Sequence, residues 1–271
     1  MTPARPPARL RSAIATEAQL DSLAFRGWTD QMREQWQRHR KLWEWCYIAQ
    51  ALDERGMLAA GRRGLGFAVG TEPLASLFAA RGADVLATDL AADQLAAGGQ
   101  DWNVGNQHAR GLESLNGRSI CPPAEFAQRV RFRPVDMNHL PADLTGFDFC
   151  WSSCSFEHLG SITLGRQFLV NMAACLKPGG VAVHTTEFNL SSDEATVEEG
   201  SAVLFRRRDV EAMAADLRAV GCRLADRDYT IGGGAADWHV DRPPFTHVPH
   251  LRLELSGYVC TSIGLIIEKD A

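Results

Sequence analysis

The chain has 271 residues, 45% of them hydrophobic, which is enough for one large core in a single elaborated domain or two small ones. Its formal net charge of −5, with 23% charged residues, argues against nucleic acid as the main partner, because phosphate neutralisation needs a clustered cationic surface. Nothing approaches the roughly 18 consecutive apolar residues of a membrane span, so a soluble chain with no membrane partner is expected.

Residues 1–12 are rich in proline and arginine and have no apolar stretch behind them. They read as a frayed leader and not as a secretory signal. From about Ser12 to Leu58 the pattern is helical, with Leu20, Leu23, Trp28, Met32, Trp36, Trp43, Tyr47, Ile48 and Leu52 at three- and four-residue steps. Four tryptophans in this stretch (28, 36, 43 and 45) exceed what one amphipathic helix needs. They predict either packing onto the main domain or an aromatic lid over a ligand. Residues 1–60 are therefore expected to form an N-terminal helical extension or lid, and residues 61–271 the main domain.

From Gly64 the chain alternates. Gly64–Val69, Asp84–Thr88, Val130–Val135, Phe147–Ser152 and Val181–Phe188 read as strands, followed by Arg223–Asp228 and Gly257–Glu268. Pro73–Arg81, part of 91–128, Leu164–Leu176 and Asp209–Val220 read as helices. This alternation predicts an α/β, doubly wound and mostly parallel seven-stranded sheet with right-handed crossovers. Two connections are longer than the fold needs, about Asp101 to Ala127 and Tyr229–Leu255, and long connections in a compact domain tend to be functional. The seven cysteines include no CxxC, and the CxxxC at Cys150 and Cys154 lacks a second pair for zinc. Reduced, buried thiols are expected, and with them a cytoplasmic location.

In such sheets ligands sit outside the carboxyl ends of the strands, where the strand order reverses. The first strand ends in Gly64-Leu65-Gly66-Phe67-Ala68-Val69-Gly70-Thr71-Glu72-Pro73, a turn in which glycine lets a ligand approach the backbone. The second ends in Thr88-Asp89-Leu90, and a carboxylate there can accept bonds from both hydroxyls of a ribose. Together they point to an adenosine-type ligand.

The motifs that follow resemble those of the class I, seven-stranded S-adenosylmethionine-dependent methyltransferases, from about Gly64 to the C-terminus. Val135-Asp136-Met137 resembles the strand motif that meets the adenine. Phe147 to Ser153, with Phe156-Glu157-His158-Leu159, resembles the fourth strand and its EHL sequel. Leu176-Lys177-Pro178-Gly179-Gly180-Val181 resembles the LKPGG turn into strand five. The resemblance implies a Rossmann-like methyltransferase fold and S-adenosylmethionine as cofactor. It also implies a binding set of Gly66, Gly70, Glu72, Asp89, Leu90, Asp136, Met137 and Ser152. The first loop departs from the family: Ala68 and Glu72 stand where glycines are usual, and Glu72-Pro73 can equally be read as a helix start.

The strings from Gly66 to Leu74 and from His184 to Leu190 resemble methyltransferase-like proteins of bacterial glycan and natural-product clusters. That likeness implies a small, sugar-like acceptor, methylated on a hydroxyl. Such a hydroxyl must lose a proton, so a base is needed near the ends of strands four and five. His158 and Glu187 are the candidates, with His239 and Asp241 from the C-terminal connection as further catalytic candidates. Were residues 237–241 extended, Asp237, His239 and Asp241 would share one face. They could then hold a divalent metal with Glu187, although hydrogen bonding to a polar substrate explains them as well and no metal ligand is assigned. An isomerase or lyase on the same fold, or a non-catalytic binding protein, are the rival readings.

Overall fold

The computed structural model describes residues 9–91, 108–109 and 111–271. Among these, ten strands form one sheet. In chain order they are β1 (Ser12–Ile14), β2 (Arg63–Gly66), β3 (Asp84–Asp89), β4 (Val130–Pro134), β5 (Phe147–Ser153), β6 (Leu176–Asn189), β7 (Cys222–Leu224), β8 (Arg227–Asp228), β9 (Leu253–Leu255) and β10 (Tyr258–Lys269). The helices are α1 (Glu17–Leu20), α2 (Leu23–Gln31), α3 (Arg40–Asp53), α4 (Leu74–Ala80), α5 (Pro123–Arg129), α6 (Ile162–Met172), α7 (Arg207–Ala219) and α8 (Ala235–Trp238).

The sheet runs β4-β3-β2-β5-β6-β10-β1-β8, with β7 and β9 also paired to β10. Strands β2 to β6 are mutually parallel and β10 runs antiparallel to β6. The order reverses between β2 and β5, which leaves a crevice at their carboxyl ends where a ligand can enter. Successive side chains on a strand point to opposite faces. Phe149 and Trp151 on β5 therefore join one core, with α3 and α4, while Cys150 joins the other, with α6 and α7. No helix among the described residues is long and apolar enough to cross a membrane.

The sheet is wider than the seven strands read from the sequence, through β1, β8 and β9. The expected sixth strand, Arg223–Asp228, divides into two short ones: β7 pairs with β10, whereas β8 pairs with β1. The segment ahead of residue 60 thus contributes a strand as well as helices. Tyr47 of α3 fixes it, donating to Arg11 O at 2.5 Å while its ring lies on Gly264 of β10. A Cβ at Gly264 would come within 2.0 Å of that ring, so only glycine admits it. Trp28 and Trp43 are buried in the same core, against α3 and the sheet.

Candidate active site

The turn after β2 is built around Asp89, the last residue of β3. Asp89 Oδ2 accepts from Gly70 N–H (3.1 Å) and Ala109 N–H (3.1 Å), and Oδ1 accepts from Leu90 N–H (2.9 Å) and approaches His108 Nδ1 (3.1 Å). Gly70 takes the left-handed conformation (φ 53°), as does Ala68 (φ 45°), which lacks glycine's freedom there. Gly70, Glu72, Asp89, Leu90, Asp136 and Met137 all line a cavity of ≈ 500 Å³ at the carboxyl ends of the strands. Asp136 Oδ1 accepts from Asn138 N–H (2.8 Å), which fixes the turn after β4.

Two members of the sequence-derived set lie elsewhere. Gly66 faces Trp151, and a Cβ there would fall 2.4 Å from the indole, so its missing side chain makes room for packing and not for a ligand. Ser152 is fully buried beneath the cavity and its hydroxyl meets His184 Nδ1 at 2.7 Å. Burial lowers His184 to about 3, leaving it a neutral core histidine.

At its other end the cavity is lined by Lys41, Trp45, Glu72, Ser153, Cys154 and His158. Here α3 inserts charges beneath the site. Glu44 is fully buried and accepts from Lys41 Nζ (2.8 Å), Arg40 Nη1 (3.3 Å), Ser153 Oγ (3.2 Å) and Ser262 Oγ (2.5 Å). Burial opposes its charge, but Lys41 and Arg40 prevail and hold it at about 2. Arg40 Nη1 also meets Glu187 Oε1 at 2.5 Å, and Lys41 Nζ lies 3.5 Å from Glu72 Oε1. Burial pushes Glu72, Glu157 and Glu187 up to about 7, against the pull of Lys41 on all three and of Arg40 on Glu187. One oxygen on each of Glu157 and Glu187 has no hydrogen-bond partner among the described residues.

The Glu157–Glu187 pair gives a testable pH dependence. A free glutamate titrates near 4.5 and these near 7. Between those values the folded chain retains protons that the unfolded chain has released, so stability falls as pH rises through the window. Glu157→Gln removes one titration. In urea melts, the variant is expected to gain on wild type by on the order of 1–3 kcal/mol between pH 5 and pH 8. A difference that does not change with pH would show that Glu157 does not titrate in this window.

His158 lines the cavity from the short 3-10 turn after β5. Its Nδ1 lies 2.7 Å from Ser201 O, and a carbonyl can only accept, so Nδ1 carries the proton and Nε2 the lone pair. Burial lowers it to about 4. Glu157 Oε1 is 3.9 Å from Nε2.

The remaining catalytic candidates divide. Glu187 is buried under the site against Arg40. His239 instead borders a separate surface groove with Arg38 and Val248. Asp241 is buried in its own loop, accepting from Thr246 N–H (3.0 Å) and His247 N–H (2.9 Å) and meeting His250 Nδ1 at 2.6 Å. The stretch 237–241 is not extended: Asp237 lies in α8, where it accepts from Gly234 N–H and Glu17 N–H. Glu187 shares no ligand set with Asp237, His239 or Asp241 among the described residues, so the metal arrangement read from the alternation does not form. The sequence reading missed Arg40, Lys41, Glu44 and Arg118, and named Trp45 only among four tryptophans read as packing or as an aromatic lid. The available signal was the i, i+3, i+4 charge set of Arg40, Lys41 and Glu44 on a helix whose other positions are nearly all apolar.

Residues 65–184 match the family model described as a methyltransferase domain. No curated protein sequence matches the chain. Among solved structures, the chain is similar to a protein assigned as a sarcosine dimethylglycine methyltransferase from Galdieria sulphuraria (16% identity, TM-score 0.53, covering 83% of each chain). It is also similar to magnesium protoporphyrin IX methyltransferase from Synechocystis (11% identity, TM-score 0.51, covering 85% of this chain and 83% of that one). At such identities the likeness establishes the fold, a Rossmann-like class I methyltransferase sheet.

Proposed function

We propose that the chain, whose residues 65–184 match a methyltransferase domain, is an S-adenosylmethionine-dependent methyltransferase of class I, and that its acceptor is a hydroxyl of a small, polar, sugar-like molecule. The observation that carries this is the cavity's lining, which brings together two groups of residues. One presents Gly70, Asp89, Leu90, Asp136 and Met137; the other presents charged and hydrogen-bonding groups beside the aromatic ring of Trp45.

When bound, the cofactor supplies an electrophilic methyl group on a sulfonium. Asp89 would hold the ribose hydroxyls, which replace His108 and Ala109 N–H on its carboxylate. Glu72 and Arg118, both on the cavity wall, carry the charges that a zwitterionic amino-acid end requires. The donor set fits the cofactor. At the other end, Trp45 offers an apolar face to a sugar ring, while Lys41 and Ser153 offer donors and acceptors to its hydroxyls. His158 Nε2 would accept the proton of the acceptor hydroxyl, and Glu157 would steady the resulting imidazolium. Such an acceptor suits glycan or natural-product assembly in the cytoplasm, where the seven free cysteines stay reduced.

The test is turnover with S-adenosylmethionine and a panel of monosaccharides and nucleotide-sugars, read by mass spectrometry. Equal amounts of S-adenosylhomocysteine and an O-methylated product are expected. Methylation of a nitrogen instead, or turnover without S-adenosylhomocysteine, would overturn the reading. His158→Gln is expected to lower kcat by about 10²-fold with cofactor affinity unchanged, the range of a lost general base. An unchanged kcat would remove His158 from the mechanism.

A further inference from the structure

Away from the cavity, three histidines converge where the long C-terminal connection meets the start of α3. His39, His247 and His250 each offer a ring nitrogen, and these atoms lie within 4.8 Å of one another. The rings of His39 and His250 stack at 4.7 Å between centroids, and those of His247 and His250 lie 4.9 Å apart. We propose that His39, His247 and His250 bind a divalent transition ion of the zinc type, which clamps the 241–250 loop to the first turn of α3.

Four observations carry this. The backbone fixes two of the ligands against each other: Arg40 N–H donates to His250 O (2.9 Å) and His250 N–H donates to Arg38 O (2.7 Å). His250 is oriented by a buried carboxylate, with Nδ1 2.6 Å from Asp241 Oδ2, which leaves the lone pair on Nε2. A histidine ligand typically donates its second ring N–H to a carboxylate in this way, fixing ring and tautomer. Asp241 also accepts from His247 N–H (2.9 Å), so one carboxylate orders two of the three ligands. The donors are all nitrogen, which suits zinc and its neighbours, whereas magnesium and calcium take oxygen.

Nitrogens bound to one zinc at about 2.0–2.1 Å stand roughly 3.4 Å apart in tetrahedral geometry, so the cluster must tighten on binding. His247, the exposed member, is the one able to move. His39 Nδ1 accepts from Lys41 N–H at 3.1 Å, and ligation through Nε2 moves its proton to Nδ1 at the loss of that cap bond. Three protein ligands leave a fourth position for water. Because Arg40 and Lys41 follow His39 directly, the ion would anchor the turn from which both cations reach the acceptor end. The site does not depend on the acceptor proposed above.

The test is calorimetric titration of chelator-treated protein with Zn²⁺, with Mg²⁺ as a control and Co²⁺ as a spectroscopic probe. One equivalent of zinc is expected, with a higher Tm, no magnesium binding and the visible bands of a nitrogen-ligated tetrahedral Co²⁺. His247→Asn tolerates the left-handed backbone at that position (φ 63°) and keeps the fold. Losing an outer partner already weakens metal binding 10–100-fold, so this variant should weaken zinc by at least about 100-fold. No zinc uptake by wild type, equal affinity in the variant, or thiolate charge-transfer bands showing that cysteines hold the ion would each overturn the proposal.

Discussion

Asp89→Ala is expected to weaken S-adenosylhomocysteine binding by about 10²–10⁴-fold in a calorimetric titration. The carboxylate ends β3 inside the cavity and already organises Gly70, Leu90 and Ala109 through their N–H groups. Two hydrogen bonds from ribose hydroxyls to a charged acceptor contribute about 1.5–3 kcal/mol each, and every 1.4 kcal/mol is tenfold in affinity. Asp89→Asn retains one acceptor oxygen and should fall between the two. Thermal melts accompany the titration, because the alanine variant also frees three backbone donors. A folded Asp89→Ala protein that binds within a factor of about three of wild type would remove Asp89 from the cofactor site.

The second large effect is on stability. Arg40→Met is expected to destabilise the fold by about 3–5 kcal/mol at pH 8, the range for removing one partner from a buried ion pair. Arg40, only 17% exposed, contacts Glu187 and fully buried Glu44 at once, and methionine fills part of its volume without its charge. Glu187 then loses the cation it is paired with, and Glu44 keeps only Lys41. The deficit should shrink below pH 6. Glu187, already raised to about 7, protonates readily once Arg40 is gone, and a neutral carboxyl needs no counter-ion. Urea melts at pH 8 and pH 5.5 separate this from lost packing, which would give the same deficit at both. A loss under about 1 kcal/mol at pH 8 would mean that the cluster is solvated like a surface pair.

These variants probe two parts of the site that were unequally visible in the sequence. Asp89, Gly70 and Asp136 were legible because strand ends and the glycine turn are local features: the fold places the end of each parallel strand at one edge of the sheet. His158 was legible through its place just after the fourth strand. Gly66 was misread for a related reason. A glycine at a strand end signals close approach, but not whether a ligand or a neighbouring indole makes that approach.

The end of the cavity beside α3 was illegible because its contacts join distant parts of the chain. Glu44 meets Ser262 across 218 residues and Arg40 meets Cys154 across 114. Nothing in the helical pattern of residues 12–58 tells which face of α3 lies on the sheet. The same holds for His39, far from His247 and His250 in sequence and beside them in space. The alternation argument failed because Asp237 lies in α8, while His239 borders a surface groove and Asp241 turns into its own loop toward His250.

Order and pattern along the chain thus determined the five parallel strands, the helices between them, the sheet's switch point and the carboxylates at its edge. Each of these follows from backbone periodicity and from one right-handed crossover rule. Only the tertiary structure decided what α3 buries and where the C-terminal connection returns. The partner of a buried charge or of a ligating histidine is chosen by packing between segments far apart in the chain, and local pattern carries no record of that choice.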